Sequence, residues 1–176
     1  MYLSDIVFWA VYFFSLYVSI FLLITFFEAR TPPKRLDALP SVSVIVPAYN
    51  EEESIGKTLE SLMKLDYPKD LLEIIVVNDG SKDNTQKIVE SFLHKNNPFK
   101  MLLISQKNLG KGVALNNGIS RANGEFIACL DADSMVRCDT LKEMINYFYD
   151  DTIAAVSPLM KVYLPKTILQ RLQALE

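Results

Sequence analysis

Val42-Ser43-Val44-Ile45-Val46-Pro47-Ala48-Tyr49-Asn50-Glu51 is the stretch on which the fold turns. Residues 42–46 are short, apolar and β-branched in four of five positions, the composition of a strand buried on both faces. Proline then ends the run, and Tyr49-Asn50-Glu51 follow at once. Over residues 51–65 the spacing changes to that of a helix, with Ile55, Leu59, Leu62 and Met63 on one face. Asn50 is placed to cap that helix, and Glu51, Glu52 and Glu53 sit at its favourable positive end.

The same change of period repeats along the chain. Strands are expected over residues 73–77, 101–104, 126–130 and 153–156. Helices are expected over 83–95, 111–121 and 140–149, with Asn123-Gly124 ending the second of these. Strand and helix in alternation, without polar alternation inside the strands, predict an α/β domain: a Rossmann-like, mostly parallel sheet with flanking helices. Ligands of such sheets bind beyond the carboxyl ends of the strands.

Four of the expected strands deliver polar groups to that edge. Pro47, Ala48, Tyr49 and Glu51 follow the first, and Asn78-Asp79-Gly80-Ser81 follows the second. Gln106-Lys107-Asn108 follows the third and leads to Gly110-Lys111-Gly112. Asp131-Ala132-Asp133 follows the fourth. Two carboxylates two residues apart at a strand end can serve a hard divalent cation that takes its other ligands from substrate phosphates. A solvated acidic turn is the bland alternative. Asp79 can accept a hydrogen bond from a base or ribose, or can be a turn residue before glycine. Lys111, at a glycine-flanked helix start, can meet phosphate or solvent. The stretch is not a P-loop, because Ser105 stands where the first glycine should be. Nor is it GxGxxG, because Leu115 stands where the third should be.

Residues 6–27 contain no charge. A helix of that length reaches roughly 33 Å, enough for a hydrocarbon core of about 30 Å. No basic residue precedes the run and no small-residue cleavage site follows, so a transmembrane anchor is expected rather than a cleaved leader. Arg30, Lys34 and Arg35 follow it, while only Asp5 precedes it. The positive-inside rule then gives a single-pass protein of the cell membrane with its α/β domain cytosolic. The expected organisation is an anchor over 1–28, a stiff proline-containing linker over 29–40, an α/β domain over 41–163 and an amphipathic helix beginning at 164–176. The net charge of −3 argues against a nucleic-acid partner. Cys129 and Cys138 form no CxxC and are expected as a core residue and a free thiol, respectively. The lone His94 is expected at an exposed helix end.

Taken together, residues 42–51, 73–81, 108–118 and 131–133 resemble, in order and spacing, the family 2 glycosyltransferases, which have the GT-A fold. The resemblance covers about residues 41–160. It implies a nucleotide-diphosphate sugar donor, usually UDP-linked, a glycan or lipid acceptor, and Mg2+ or Mn2+ as cofactor. It also implies roles: Pro47, Ala48, Tyr49 and Glu51 lining the base and ribose pocket, Asp79 on the base, and Lys111 near the diphosphate. Asp131 would approach the ribose or donor sugar, and Asp133 would ligate the metal. Asn78 departs from the family, which often has a second aspartate there. The ending Gln170-Arg171-Leu172-Gln173-Ala174-Leu175-Glu176 is similar to the segment that enters the acceptor region of membrane-bound polysaccharide synthases making chitin, hyaluronan or poly-N-acetylglucosamine.

The implied reaction is an inverting displacement in which a carboxylate deprotonates the attacking hydroxyl. In the family that base lies farther beyond the DxD than the 43 residues that follow Asp133 here. No later carboxylate, Asp150, Asp151 and Glu176 among them, is assigned to it. The expectation is therefore a donor-binding portion that transfers sugar poorly alone, with a second subunit supplying the rest. A non-catalytic nucleotide-sugar module and a polyprenyl-phosphate glycosyltransferase are the alternatives.

Overall fold

The computed structural model describes residues 3–27, 38–94, 99–149 and 152–161. It divides into two compact units, Met1–Pro33 and Lys34–Glu176. The first is helix α1, Leu3–Phe27, of which Ser4–Thr25 is long and apolar enough to cross a membrane. Over residues 4–25 its side chains are exposed, apart from the half-buried Val18. Its hydroxyls fold back on the helix, Ser19 Oγ to the Ser15 carbonyl at 2.8 Å and Thr25 Oγ1 to that of Phe21 at 2.9 Å. Such internal satisfaction is what an apolar surrounding demands of a polar side chain.

The second unit carries four parallel strands: β1 Val42–Ala48, β2 Leu72–Asn78, β3 Lys100–Ser105 and β4 Phe126–Cys129. Their spatial order is β3-β2-β1-β4. Helices α2 Ile55–Met63, α3 Thr85–Leu93 and α4 Lys111–Ile119 fill the three connections, and α5 Thr140–Ile145 follows β4. Residues of a strand alternate between faces. Val42, Val44, Val46 and Ala48 of β1 and Leu72, Ile74 and Val76 of β2 pack with Ile55, Leu59 and Leu62 of α2, Val89 and Phe92 of α3, and Leu141 and Ile145 of α5. Ile45, Ile75 and Val77 turn the other way and pack on Ala114 of α4. The run of buried residues in β1 and β2 is thus a sheet interior clothed on both sides.

Several boundaries differ from the sequence expectation. Asn50 does not cap α2. Its φ of 54° is left-handed, and its Oδ1 accepts the Lys82 N–H at 2.9 Å. The helix starts four residues later, where Ser54 N and Ile55 N both donate to the Glu51 carbonyl. The last helix is shorter than expected, because a 3-10 turn, Asn146–Tyr149, follows α5. Phe148 leaves helical geometry there and packs on Phe126 with ring centroids 4.7 Å apart. Residues 153–156 form no strand. A short apolar run such as Ile153-Ala154-Ala155-Val156 becomes a strand only where a ladder partner takes its backbone groups. Among the described residues β4 pairs with β1 alone. Cys129 is exposed rather than in the core. With Ile127 it lies on the α4 side of β4, where its register neighbour is Ile45, and α4 does not extend over it. His94 is exposed at the end of α3. Most of the 29–40 linker, all of the 164–176 helix, Asp150 and Asp151 lie outside the described residues.

Candidate donor site

The strand order reverses direction at β1, with β2 and β3 on one side and β4 on the other. The loop leaving β1 leads to α2 on one face and the loop leaving β3 leads to α4 on the other, which leaves a crevice at the carboxyl ends of the strands. A cavity of about 220 Å3 opens there, lined by Pro47, Tyr49, Glu51, Asp79, Lys111, Ala114, Asp131, Ala132 and Asp133. Seven of the eight residues expected at the site meet in it. Ala48 is the exception: its side chain is buried in the core, and its carbonyl accepts the Asp79 N–H at 2.9 Å. Ala114 and Ala132 were not singled out beforehand. Their signal was only position, one turn beyond Lys111 and between the two aspartates. A larger hollow of about 630 Å3 lies at the opposite edge, beside Ser41, Leu72 and Lys100. Asp70 and Glu73 both line it, and Glu73 is already engaged by Ser43, Asn123 and Lys100.

The loops after β1 and β2 hold each other. Asn50 N donates to Ser81 Oγ at 3.0 Å, Glu51 N to Thr85 Oγ1 at 2.8 Å, and Glu52 N to Asp83 Oδ2 at 3.1 Å. Glu52 Oε2 accepts both the Asn84 N–H and its Nδ2 at 2.9 Å. This lacing fixes Tyr49 and Glu51 on one wall. Asn78 is buried below it: Oδ1 accepts the Ser81 N–H at 3.0 Å and Nδ2 donates to Gln86 Oε1 at 2.9 Å. The residue that departs from the family pattern thus shapes the turn and does not line the cavity.

Asp79 is 4% exposed. Its Oδ1 accepts Gln106 Nε2 at 2.8 Å and Leu109 N at 2.9 Å, and its Oδ2 accepts Gly110 N at 2.8 Å. Burial alone would raise its pKa, but these three donors outweigh burial and hold it below the ordinary carboxylate range. Gln106 is oriented in turn by Asn117 Nδ2, which donates to its Oε1 at 2.8 Å. Gly110 takes φ 92°, a conformation that glycine adopts without strain, and so aims its N–H at Asp79. Lys111 then begins α4 at the cavity rim.

Across the cavity Asp131 and Asp133 are exposed while Ala132 between them is buried. Lys111 Nζ donates to Asp131 Oδ1 at 2.6 Å. That hydrogen bond, with the charges of Asp131 and Asp133, raises the ammonium pKa above its ordinary value. Among the described residues no cluster of three or more His, Cys, Asp or Glu is disposed to hold a metal. Asp131 and Asp133 suit a hard cation that completes its shell with water and phosphate, and do not suit a closed protein cage.

The arrangement is thus a lysine ion-paired to one of two neighbouring aspartates at the switch point of a parallel sheet. The glycosyl transferase family 2 profile matches residues 43–174. The chain belongs to glycosyl transferase family 2. A poly-beta-1,6-N-acetyl-D-glucosamine synthase of Staphylococcus aureus (strain COL) is 36% identical over 148 residues, covering 84% of this chain and 35% of that protein. The mannosyltransferase PcManGT from Pyrobaculum calidifontis, solved in complex with GDP-Man and Mn2+, superposes with a TM-score of 0.71 at 29% identity. That match covers 84% of this chain and 44% of the other. S. aureus TarS 1-349, solved in complex with UDP-GlcNAc, gives a TM-score of 0.54 at 37% identity over 58% of this chain and 29% of the other. This family 2 chain thus spans about a third of the length of the synthase it resembles.

Proposed function

We propose that this chain forms the donor-binding part of a membrane-bound, divalent-metal-dependent glycosyltransferase. It takes its sugar from a UDP-linked donor and passes it, with inversion, to a growing glycan. The observation that carries the reading is the convergence of Tyr49, Glu51, Asp79, Lys111, Asp131 and Asp133 on one cavity at the reversal of strand order. A glycan acceptor is favoured over a lipid because the synthase of poly-beta-1,6-N-acetyl-D-glucosamine matches most of this chain.

In this reading Tyr49, Pro47 and Glu51 form the wall for base and ribose, and Asp79 presents a fixed negative edge to the base. Lys111, at the positive end of α4, meets the diphosphate. Asp133 would ligate Mg2+ or Mn2+, and Asp131, which approaches the ribose or donor sugar, would complete the acidic side of that site. When bound, that ion neutralises charge on the departing nucleoside diphosphate. The chain's own residues bind and orient the donor. Deprotonation of the acceptor is assigned to no described residue, so a further polypeptide segment or a second subunit is part of the proposal.

Titrating the detergent-solubilised chain with UDP, with and without Mn2+, tests the reading. Metal-dependent binding that is lost in Asp133→Ala is the expected result. A folded chain that binds UDP equally with and without Mn2+ contradicts the metal site. One that prefers GDP contradicts the donor assignment.

A further inference from the structure

The segment after β4 carries two of the four acidic residues of the cavity, Asp131 and Asp133, and helix α2 clasps it from beneath. Thr58 Oγ1 donates to the Ala132 carbonyl at 2.7 Å. Ser61 Oγ accepts the Val136 N–H at 3.2 Å, and the Asp66 N–H, just beyond the helix, donates to the Cys138 carbonyl at 2.8 Å. Of the three contacts, the one from Thr58 falls between the two aspartates. Thr58 is fully buried and Ala132 is 4% exposed, its methyl in the same apolar cluster as Leu59 and Ile55. With the side chain and carbonyl of Ala132 both held inward, its two neighbours project outward into the cavity.

We propose that Thr58 is a positioning residue for the divalent-metal site formed by Asp131 and Asp133. The inference rests on the donor-site reading above and adds a residue that lies outside the cavity lining. Mg2+ and Mn2+ tolerate little misplacement of the few carboxylates that bind them. Groups that orient metal ligands from behind matter for affinity by about 10- to 100-fold. Removing the hydroxyl leaves the buried Ala132 carbonyl without this donor and frees the peptide to rotate, which displaces both aspartates at once. The opposite wall, from Tyr49 to Gly110, is held by the contacts between the β1 and β2 loops and around Asp79, and keeps its geometry.

The test compares wild type, Thr58→Val and Thr58→Ser as full chains in detergent, titrating Mn2+ at fixed UDP and UDP without metal. Valine keeps the shape and removes the donor. Its expected effect is a Mn2+ half-saturation about tenfold higher, with metal-free UDP affinity within about twofold of wild type. Serine retains the donor and is expected to restore the wild-type Mn2+ response. Thr58→Ala, which puts no methyl against the carbonyl, takes the place of valine if that variant does not fold. Unchanged Mn2+ dependence in the valine or alanine variant overturns the proposal. An equal loss of metal-free and metal-dependent binding also overturns it, because a merely structural role moves both. If wild type itself shows no Mn2+ dependence, the metal-site reading fails first and the role of Thr58 goes with it.

Discussion

Both oxygens of Asp79 are engaged before any nucleotide arrives, by Gln106, Leu109 and Gly110. The residue therefore builds the site as well as facing it, since those bonds hold the loop that delivers Lys111. Asp79→Asn would set an amide N–H against one donor, Gly110 N, or against two, Gln106 Nε2 and Leu109 N, depending on which way the amide turns. A buried donor left without an acceptor costs about 1–3 kcal/mol. Loss of about that stability in urea unfolding, together with at least tenfold weaker UDP binding, is expected; wild-type unfolding would show that the carboxylate does not hold the loop. Lys111 is already a cation seated on Asp131. Lys111→Met should tighten Mn2+ binding in the absence of nucleotide, by no more than about fivefold because exposed ion pairs are worth about 0–1 kcal/mol. It should weaken UDP binding, because an ammonium is lost from the diphosphate. Calorimetry of each ligand alone separates the two, and weaker binding of both would mean that Lys111 organises the loop and does not compete with the metal. At this scale the polar residues at strand ends were legible, since strand ends in a parallel sheet share one edge. Ala48 was misplaced because residues alternate along a strand and its side chain falls on the inward set. The links from Gln106 to Asp79 and from Thr58 to Ala132 join residues 27 and 74 apart, and no periodicity encodes such pairs.

The elements are fastened at the other edge of the sheet by a second carboxylate. Glu73 of β2 accepts Ser43 Oγ of β1 at 2.7 Å, Asn123 N from the turn before β4 at 2.6 Å, and Lys100 Nζ of β3 at 3.2 Å. One side chain thus ties three strands and the turn that leads into β4. Burial pushes its pKa up, but the bonds from Ser43, Asn123 and Lys100 prevail and bring it down to about 2 from 4.5. A carboxylate with a lowered folded pKa contributes stability above its unfolded value and loses it as pH falls through the folded one. The domain should therefore lose stability between about pH 4.5 and pH 2, by at most roughly 3 kcal/mol from this group. Glu73→Gln should be weaker than wild type at pH 7 and should show a flatter acid limb in unfolding measured from pH 7 to 2.5. A mutant with the wild-type acid slope would remove Glu73 as its source. The same turn explains Gly124. Read from the sequence as a helix stop, it is also a close approach: a Cβ there would lie 2.5 Å from Ser43 N. Helix and strand interiors were legible from apolar spacing, whereas their ends were set by these contacts between loops. Residues 153–156 had strand composition, but composition names no ladder partner.

On the scale of the whole chain, half of the residues are hydrophobic, and this total combines two different environments. In α1 the apolar side chains are exposed on every side, whereas in the second unit they fill the two faces of a sheet. Among the described residues only α1 is long and apolar enough to cross a membrane, so any membrane affinity is expected to reside in it. The join can be placed. Leu39 packs against the core of the second unit. The Pro40 carbonyl accepts the Tyr67 hydroxyl at 2.6 Å, and burial, with the nearby Glu125 charge, pushes that phenol up to about 12. A cut that preserves the fold must therefore lie before residue 38. A chain beginning at residue 34, the boundary between the units, should leave the membrane fraction and remain soluble without detergent. It should keep its UDP and Mn2+ affinities within about twofold, because distant sites without shared partners act independently. Fractionation of both forms, followed by the same titrations, checks this. If the shortened chain stays with the membrane, a second surface binds lipid, and the exposed Ile127 and Cys129 side of β4 is the first place to look. If it becomes soluble but loses UDP binding while still folded, then α1 contributes to the donor site, and anchor and domain are not the separable parts that the sequence suggested.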